Sequence, residues 1–272
     1  KLTYKQSDFE DYFNKEGYSE HGNAGSVHDY FRDNSYGQFD LTFDVIGPVT
    51  LSKSIQYYGK NDMNGDDLHA AEMVGEAVRL ADNEGVDFSK YDWDGDGYVD
   101  QVYVIYAGYG EASDAPAFTI WPHEFELSYA KYHGDGNGAI RLDGVTVDTY
   151  ACSNELFGNR GSKMDGIGTP CHEFSHCLGL PDFYNTQYEA FGMNVWSVMD
   201  YGNYNDDGYC PVGYTSYERW YCGWLEPIVL NEPCDIQDIP SLNEKPVAYI
   251  IYNDAYKDEY YMIENRQNDG WF

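Results

Sequence analysis

Apolar residues alternate with polar ones from Phe39 through Leu41, Phe43 and Val45 in "QFDLTFDVIG", a two-residue period that predicts a strand. The period then changes. In "DLHAAEMVGEAVRLADNEG", Leu68, Ala71, Val74, Val78 and Ala81 recur at helical spacing, with Asp66 or Asp67 as candidate cap and Gly85 as candidate stop. The β-branched and aromatic run Gln101–Gly108 predicts a buried strand. "AFTIWPHEFEL" predicts an edge strand, because Pro122 has no amide to give to a ladder. "AIRLDGVTVDTYA" predicts a hairpin turning at Asp143-Gly144. The stretch "GTPCHEFSHCLGLPDFY" is expected to supply a helix, after the glycine-rich "GSKMDGIGTP", and residues 183–213 have a loop-like composition. "YTSYERWYCGWL" predicts a Ser- or Thr-capped helix stopped at Gly223, and "VAYIIY" with "EYYMIENRQ" predicts a closing hairpin. A lone hairpin is marginally stable, so the natural protein is expected to continue beyond it. No internal repeat interrupts this order.

Composition narrows the partners. Against 16 basic residues stand 47 acidic ones, for a formal charge of -31. Such a surface repels nucleic acid and anionic membranes and favours cations. No apolar run reaches the roughly 18 residues a membrane-spanning helix requires. Six cysteines permit up to three disulfides, which the reading favours over buried thiols.

The candidate chemistry lies in "GTPCHEFSHCLGLPDFY" (168–184). His172 and His176, four apart, share one helix face, and each can offer a nitrogen to one zinc ion at about 2.0–2.1 Å. Glu173 lies about 100° round the helix. It is too far round to be a ligand of the same ion but can reach a water beside it, so it is the candidate general base. Gly179 permits the left-handed turn that ends a helix, and Pro181 drives Leu180 out of helical geometry. The chain can then bring Asp182 back as a third ligand. HExxHxxGxxD thus reads as a complete three-ligand pattern. Cys171 and Cys177, about 240° apart round the helix, cannot join the histidines on one ion.

A second metal is expected in "DWDGDGYVD". Asp92, Asp94, Asp96 and Asp100 occupy positions 1, 3, 5 and 9 of an EF-hand-like loop, with Gly97 at the sharp turn and the Tyr98 carbonyl at position 7. Tyr103 stands where the bidentate glutamate belongs, so a calcium ion here must complete its shell elsewhere.

These stretches resemble the immune inhibitor A-like family of secreted bacterial metallopeptidases, related to the metzincins. The likeness runs through "SYGQFDLTFDVIGPVTLSKSIQYYG", "YDWDGDGYVDQVYVIYAGYGEAS", "IWPHEF", the zinc motif, "WSVMDYG" and "ENRQNDGW". It implies an α/β (α+β) metzincin-like catalytic domain with a twisted mixed sheet and a zinc-binding helix. The active-site cleft is expected between an upper subdomain, 1–178, and a lower one, 179–272. The implied protein is a zinc-dependent endopeptidase acting on proteins or peptides. It would bind structural calcium, be made as a latent precursor with an upstream inhibitory propeptide, and work outside the cell or on its surface. Met199 would form the methionine turn under the zinc. Substrate would extend along an edge strand within 117–142. In astacin- and serralysin-like relatives a tyrosine at the place of Tyr201 binds zinc loosely and donates to the oxyanion. A tyrosine lining the cleft floor is the competing reading. The alternative function is a catalytically silent, calcium-dependent binding module, which has no reason to keep Glu173.

Overall fold

The structure is a computed structural model that describes residues 1–187 and 189–271. The chain divides into two compact units, one of residues 1–10 and 44–177, the other of residues 11–43 and 178–272. In chain order the helices are α1 (Gln6–Asn14), α2 (Val27–Asn34), α3 (Ile55–Tyr58), α4 (Ala70–Asn83), α5 (Leu127–Tyr132), α6 (Gly168–Cys177) and α7 (Ser216–Tyr221). The strands are β1 (Val102–Tyr106), β2 (His123–Glu126), β3 (Ile140–Leu142), β4 (Val145–Val147), β5 (Thr149–Asn154), β6 (Ile228–Val229), β7 (Tyr249–Asn253) and β8 (Tyr256–Ile263). This is the expected mixed α/β class.

The first unit is built on a mixed sheet of order β1-β5-β2. β5 runs parallel to β1, pairing Val104 with Cys152, and antiparallel to β2, pairing His123 with Cys152. β5 is buried along almost its whole length, as a central strand covered on both faces must be. β2 is the edge strand anticipated after Pro122. The Asp143-Gly144 hairpin forms between β3 and β4, with both turn residues at positive φ (51° and 93°), the twist that suits a tight hairpin. Val74, Val78, Ile120, Leu127, Val147, Tyr150 and their neighbours form the core.

α4 starts differently from the sequence expectation. Its N-cap is His69, and no side chain of the cap bonds the helix. The Asp135 carboxylate caps it instead, accepting from Ala71 N at 2.7 Å and Glu72 N at 3.1 Å. A remote acid does the work assigned to Asp66 or Asp67, and pattern alone cannot show a contact 64 residues away. The stop at Gly85 holds, with φ at 94°.

The 39–45 stretch is not a strand. Exposure still alternates along it, with Leu41 buried, yet its amides bond side chains. Phe43 N donates to Asn14 Oδ1 at 2.7 Å and Phe39 N to Ser35 Oγ at 2.9 Å.

The second unit is held by aromatic rings. Tyr30 on α2 meets Tyr214 and Trp271 edge-on, at 5.9 and 5.1 Å between centroids, and Tyr214 stacks on Trp224 at 5.3 Å. Asn34 Oδ1 accepts from Tyr214 N at 2.7 Å. These contacts place residues 11–43 with the C-terminal half. The closing hairpin β7–β8 gains β6 as a parallel third strand, which supplies the support a lone hairpin lacks.

All six cysteines carry thiols, so the preference for disulfides is not met. Cys152 and Cys171 are fully buried and pack as small apolar residues. Burial pushes both thiols well above their ordinary range.

Candidate metal and catalytic site

α6 carries the HExxH residues and packs on β5 and β2. Its approach is fixed by Asp165, which accepts from Gly166 N at 2.9 Å and from Asn154 Nδ2 at 2.6 Å. Cys171 and Phe174 bury one side of the helix, and Cys177 lies against the Gln101 side chain. Of the remaining residues, His172 and Glu173 are buried and His176 is half-buried.

The two imidazoles are set at right angles, 89° between planes. Their Nε2 atoms are 3.3 Å apart. Two nitrogens each about 2.0–2.1 Å from one tetrahedral zinc stand about 3.3–3.4 Å apart, so the pair already has the spacing of two ligands. The ligand atoms of His172, Glu173 and His176 all lie within 4.8 Å of one another. Two neutral nitrogen donors beside one carboxylate suit a zinc ion.

After α6 the chain turns at Gly179, whose φ is 87°. Leu180 is buried and Asp182 is half-buried in the second unit. The next residue is tied to the turn at Met199, since Phe183 N donates to Met199 O at 2.8 Å. Met199 is fully buried. Its amide donates to Ser197 Oγ at 3.0 Å, and Ser197 Oγ donates to Glu218 Oε1 at 2.5 Å. Asp200 accepts from Asn194 N at 2.6 Å and Tyr201 N at 2.7 Å. Gly202 has no room for a side chain: a Cβ would stand 2.2 Å from Val212 Cγ1. The turn thus depends on Ser197, Asp200 and Glu218, three residues that sequence reasoning did not single out for this role. Glu218 also completes the capping box of α7 with Thr215. Burial raises its pKa, opposed by the bond from Ser197. Tyr201 is 55 % exposed, with its ring 6.4 Å from that of Tyr204.

In the acidic loop the carboxylates of Asp92, Asp94 and Asp96 converge within 4.8 Å. Asp92 accepts from Gly95 N and Gly97 N, Asp94 from Asp96 N, and Asp96 from Tyr98 N. Gly97 has the positive φ, 92°, that its place requires. Asp100 turns back to accept from Trp93 N at 2.6 Å, and burial, then the other three carboxylates, raises its pKa. The loop is stitched to β4 by Thr146 N to Gly97 O at 2.9 Å and Val99 N to Thr146 O at 2.8 Å.

Residues 1–223 match the model of the immune inhibitor A peptidase M6 catalytic domain. The chain belongs to that family. It is 28 % identical over 249 residues to the pre-pro-metalloprotease PrtV of Vibrio cholerae, an alignment covering 80 % of this chain and 26 % of that protein. It is 26 % identical over 198 residues to immune inhibitor A of Bacillus thuringiensis, covering 64 % and 28 %. The chain therefore spans about a quarter of the length of the curated relatives it matches. A metallopeptidase fold of this family implies a metal, and the His172–Glu173–His176 group is where the donors for one converge.

Asp165 links the site to stability. Burial pushes its carboxyl up from 3.8 to about 6, against the pull of Gly166 N and Asn154. The folded protein therefore keeps a proton that the unfolded chain loses. This contribution to stability is complete below about pH 3.8 and is lost as pH rises through about 6. Asp165→Asn should remove it. In urea titrations, the wild type should lose stability relative to the variant across that interval. Parallel pH profiles would show that Asp165 is not held protonated.

Proposed function

We propose that this chain is the catalytic domain of a secreted zinc endopeptidase, with His172, His176 and Asp182 as ligands and Glu173 as general base. The observation that carries the reading is the 3.3 Å separation of the two Nε2 atoms beside the buried Glu173. A zinc ion in this position would supply Lewis-acid chemistry, making a water nucleophilic at neutral pH and polarising the scissile carbonyl. Glu173 takes the water proton on its carboxylate and returns it to the leaving amine. Retention of that base disfavours the silent-module alternative. Tyr201 Oη is proposed to donate to the oxyanion, since its ring is exposed and the turn beneath it is fixed by Asp200. The substrate backbone is proposed to extend along β2, the sheet edge that packs beside α6.

Secretion and synthesis with a propeptide are proposed from the pre-pro form named for the Vibrio relative. Among the described residues, no helix is long and apolar enough to cross a membrane. The charge of -31 supports the exclusion of nucleic acid as partner.

Casein hydrolysis and metal content test these roles together. Processed wild type should hydrolyse casein, lose that activity to a chelator and regain it with zinc. Glu173→Gln should keep its zinc and lose about 10²- to 10⁴-fold in turnover. Asp182→Ala should fail to retain zinc through dialysis. Tyr201→Phe should keep zinc and KM while kcat falls roughly 10- to 1000-fold. Full turnover in Glu173→Gln, or full zinc retention in Asp182→Ala, would overturn the corresponding assignment.

Calcium is proposed to bind Asp92, Asp94, Asp96, the Tyr98 carbonyl and Asp100, where it would relieve repulsion among the carboxylates of Asp92, Asp94 and Asp96, already gathered within 4.8 Å. A calcium-selective chelator should lower the melting temperature, and added calcium should restore it. A melting curve indifferent to calcium would leave the loop an acidic turn.

A further inference from the structure

The loop that delivers α6 is a short ladder. β5 continues into residues 155–165, where Asp165 N donates to Glu155 O at 3.0 Å, Phe157 N donates to Lys163 O at 3.0 Å, and Leu156 bridges Met164. The chain then enters α6 at Gly168, and Cys171 N donates to Ile167 O at 2.9 Å. The returning arm, 162–167, therefore sets where the helix starts and how it is turned.

Residues 3 and 4 grip that ladder. Tyr4 Oη donates to Ser162 O at 2.6 Å and accepts from Met164 N at 3.0 Å, so one hydroxyl holds the arm on both sides of Lys163. The Glu155 carboxylate holds the same segment from the other arm. Its Oε1 accepts from Thr3 N at 2.5 Å and Tyr4 N at 2.8 Å, and its Oε2 accepts from Gly108 N, just past β1, at 3.2 Å. Glu155 is 1 % exposed. A carboxylate buried to that degree is tolerated only while donors satisfy it. Lifting residues 3 and 4 away would take two donors from Oε1, and water could replace them only if the ladder opened. Segment and ladder thus stay in place together, and the ladder leads directly into the helix of His172 and His176. All of these residues belong to the first unit.

We propose that residues 1–4 act as a strap that holds α6 in place, with Tyr4 and Glu155 as its positioning residues. Neither touches the reacting atoms. They act by keeping the helix in the form in which its two imidazole nitrogens stand 3.3 Å apart. The proposal rests on the reading of His172 and His176 as zinc ligands. Apparent affinity falls with the fraction of molecules in which the binding form is populated, so loosening the strap weakens zinc binding before it unfolds the core.

Tyr4→Phe tests it, because it keeps the ring and removes both hydroxyl bonds. In the metal-free protein, amide hydrogen exchange over residues 163–177 should quicken roughly 10-fold, the effect of one or two lost hydrogen bonds, with no change over α4. Affinity for inorganic zinc, measured in competition with a chelating dye, should weaken roughly 3- to 10-fold. Deleting residues 1–4 should move both readouts further in the same direction. Asp135→Ala is the control. It removes the cap of α4 and should lower the melting temperature, yet leave zinc affinity within about twofold of wild type. Unchanged exchange over 163–177 or unchanged zinc affinity in Tyr4→Phe, or an equal loss of affinity in Asp135→Ala, would overturn the proposal. If the wild type binds no zinc, the metal reading fails and exchange alone decides the strap. Selective quickening over 163–177 in Tyr4→Phe upholds its hold on α6, and uniform or absent quickening overturns it.

Discussion

The arrangement depends on one helical turn. Two imidazoles four residues apart can share a metal only if the backbone between them is held as α-helix and their rings are held on the same side. In α6 the 3.3 Å approach of the two nitrogens expresses that constraint, and the neighbouring structure serves it. Cys171 and Phe174 bury the opposite side, β5 and β2 support the helix, and Asp165 with Asn154 fixes its entry. A glycine in left-handed geometry then ends the run, so that residue 182 leaves the helix instead of continuing it. Fraying of this turn would separate the donors before it affected the bulk of either core.

What the sequence made legible divides along the range of the interactions. Elements specified by neighbours in the chain were readable: the Asp143-Gly144 hairpin, the Ser- or Thr-capped start of α7, the stops at Gly85 and Gly179, and the i, i+4 histidines. What depended on distant partners was not. The 39–45 stretch has the two-residue period of a strand because one side of it is buried. Asn14 and Ser35 take its backbone bonds, and alternation carries no information about who the partner is. The cap of α4 comes from Asp135, and residues 11–43 join the second unit through Tyr30 and Asn34. The resemblance singled out Met199, and the structure sets it fully buried in a turn. The reason for the form of that turn was not legible, because Glu218 stands 21 residues from the serine it bonds.

The acidic composition takes on structural meaning once the carboxylates are followed to their partners. Many of them end on backbone amides. Asp29 caps α2, Asp135 caps α4, Asp148 receives Ser128 N at the start of α5, and Glu218 caps α7. Asp200 closes the turn at Met199, and Glu155 gathers the amides of Thr3, Tyr4 and Gly108. Orphan amides at helix starts and turns carry partial positive charge, and a carboxylate satisfies them with strong, charge-assisted hydrogen bonds. A chain with 47 acids and 16 bases cannot pair its acids mainly with cationic side chains, and backbone amides take up part of that demand. The converse is equally physical. Where carboxylates gather beyond what amides can satisfy, mutual repulsion remains, and a cation is the partner that relieves it. The same imbalance that stabilises helix starts and turns therefore also leaves Asp92, Asp94 and Asp96 gathered within 4.8 Å, with a repulsion that a cation would relieve.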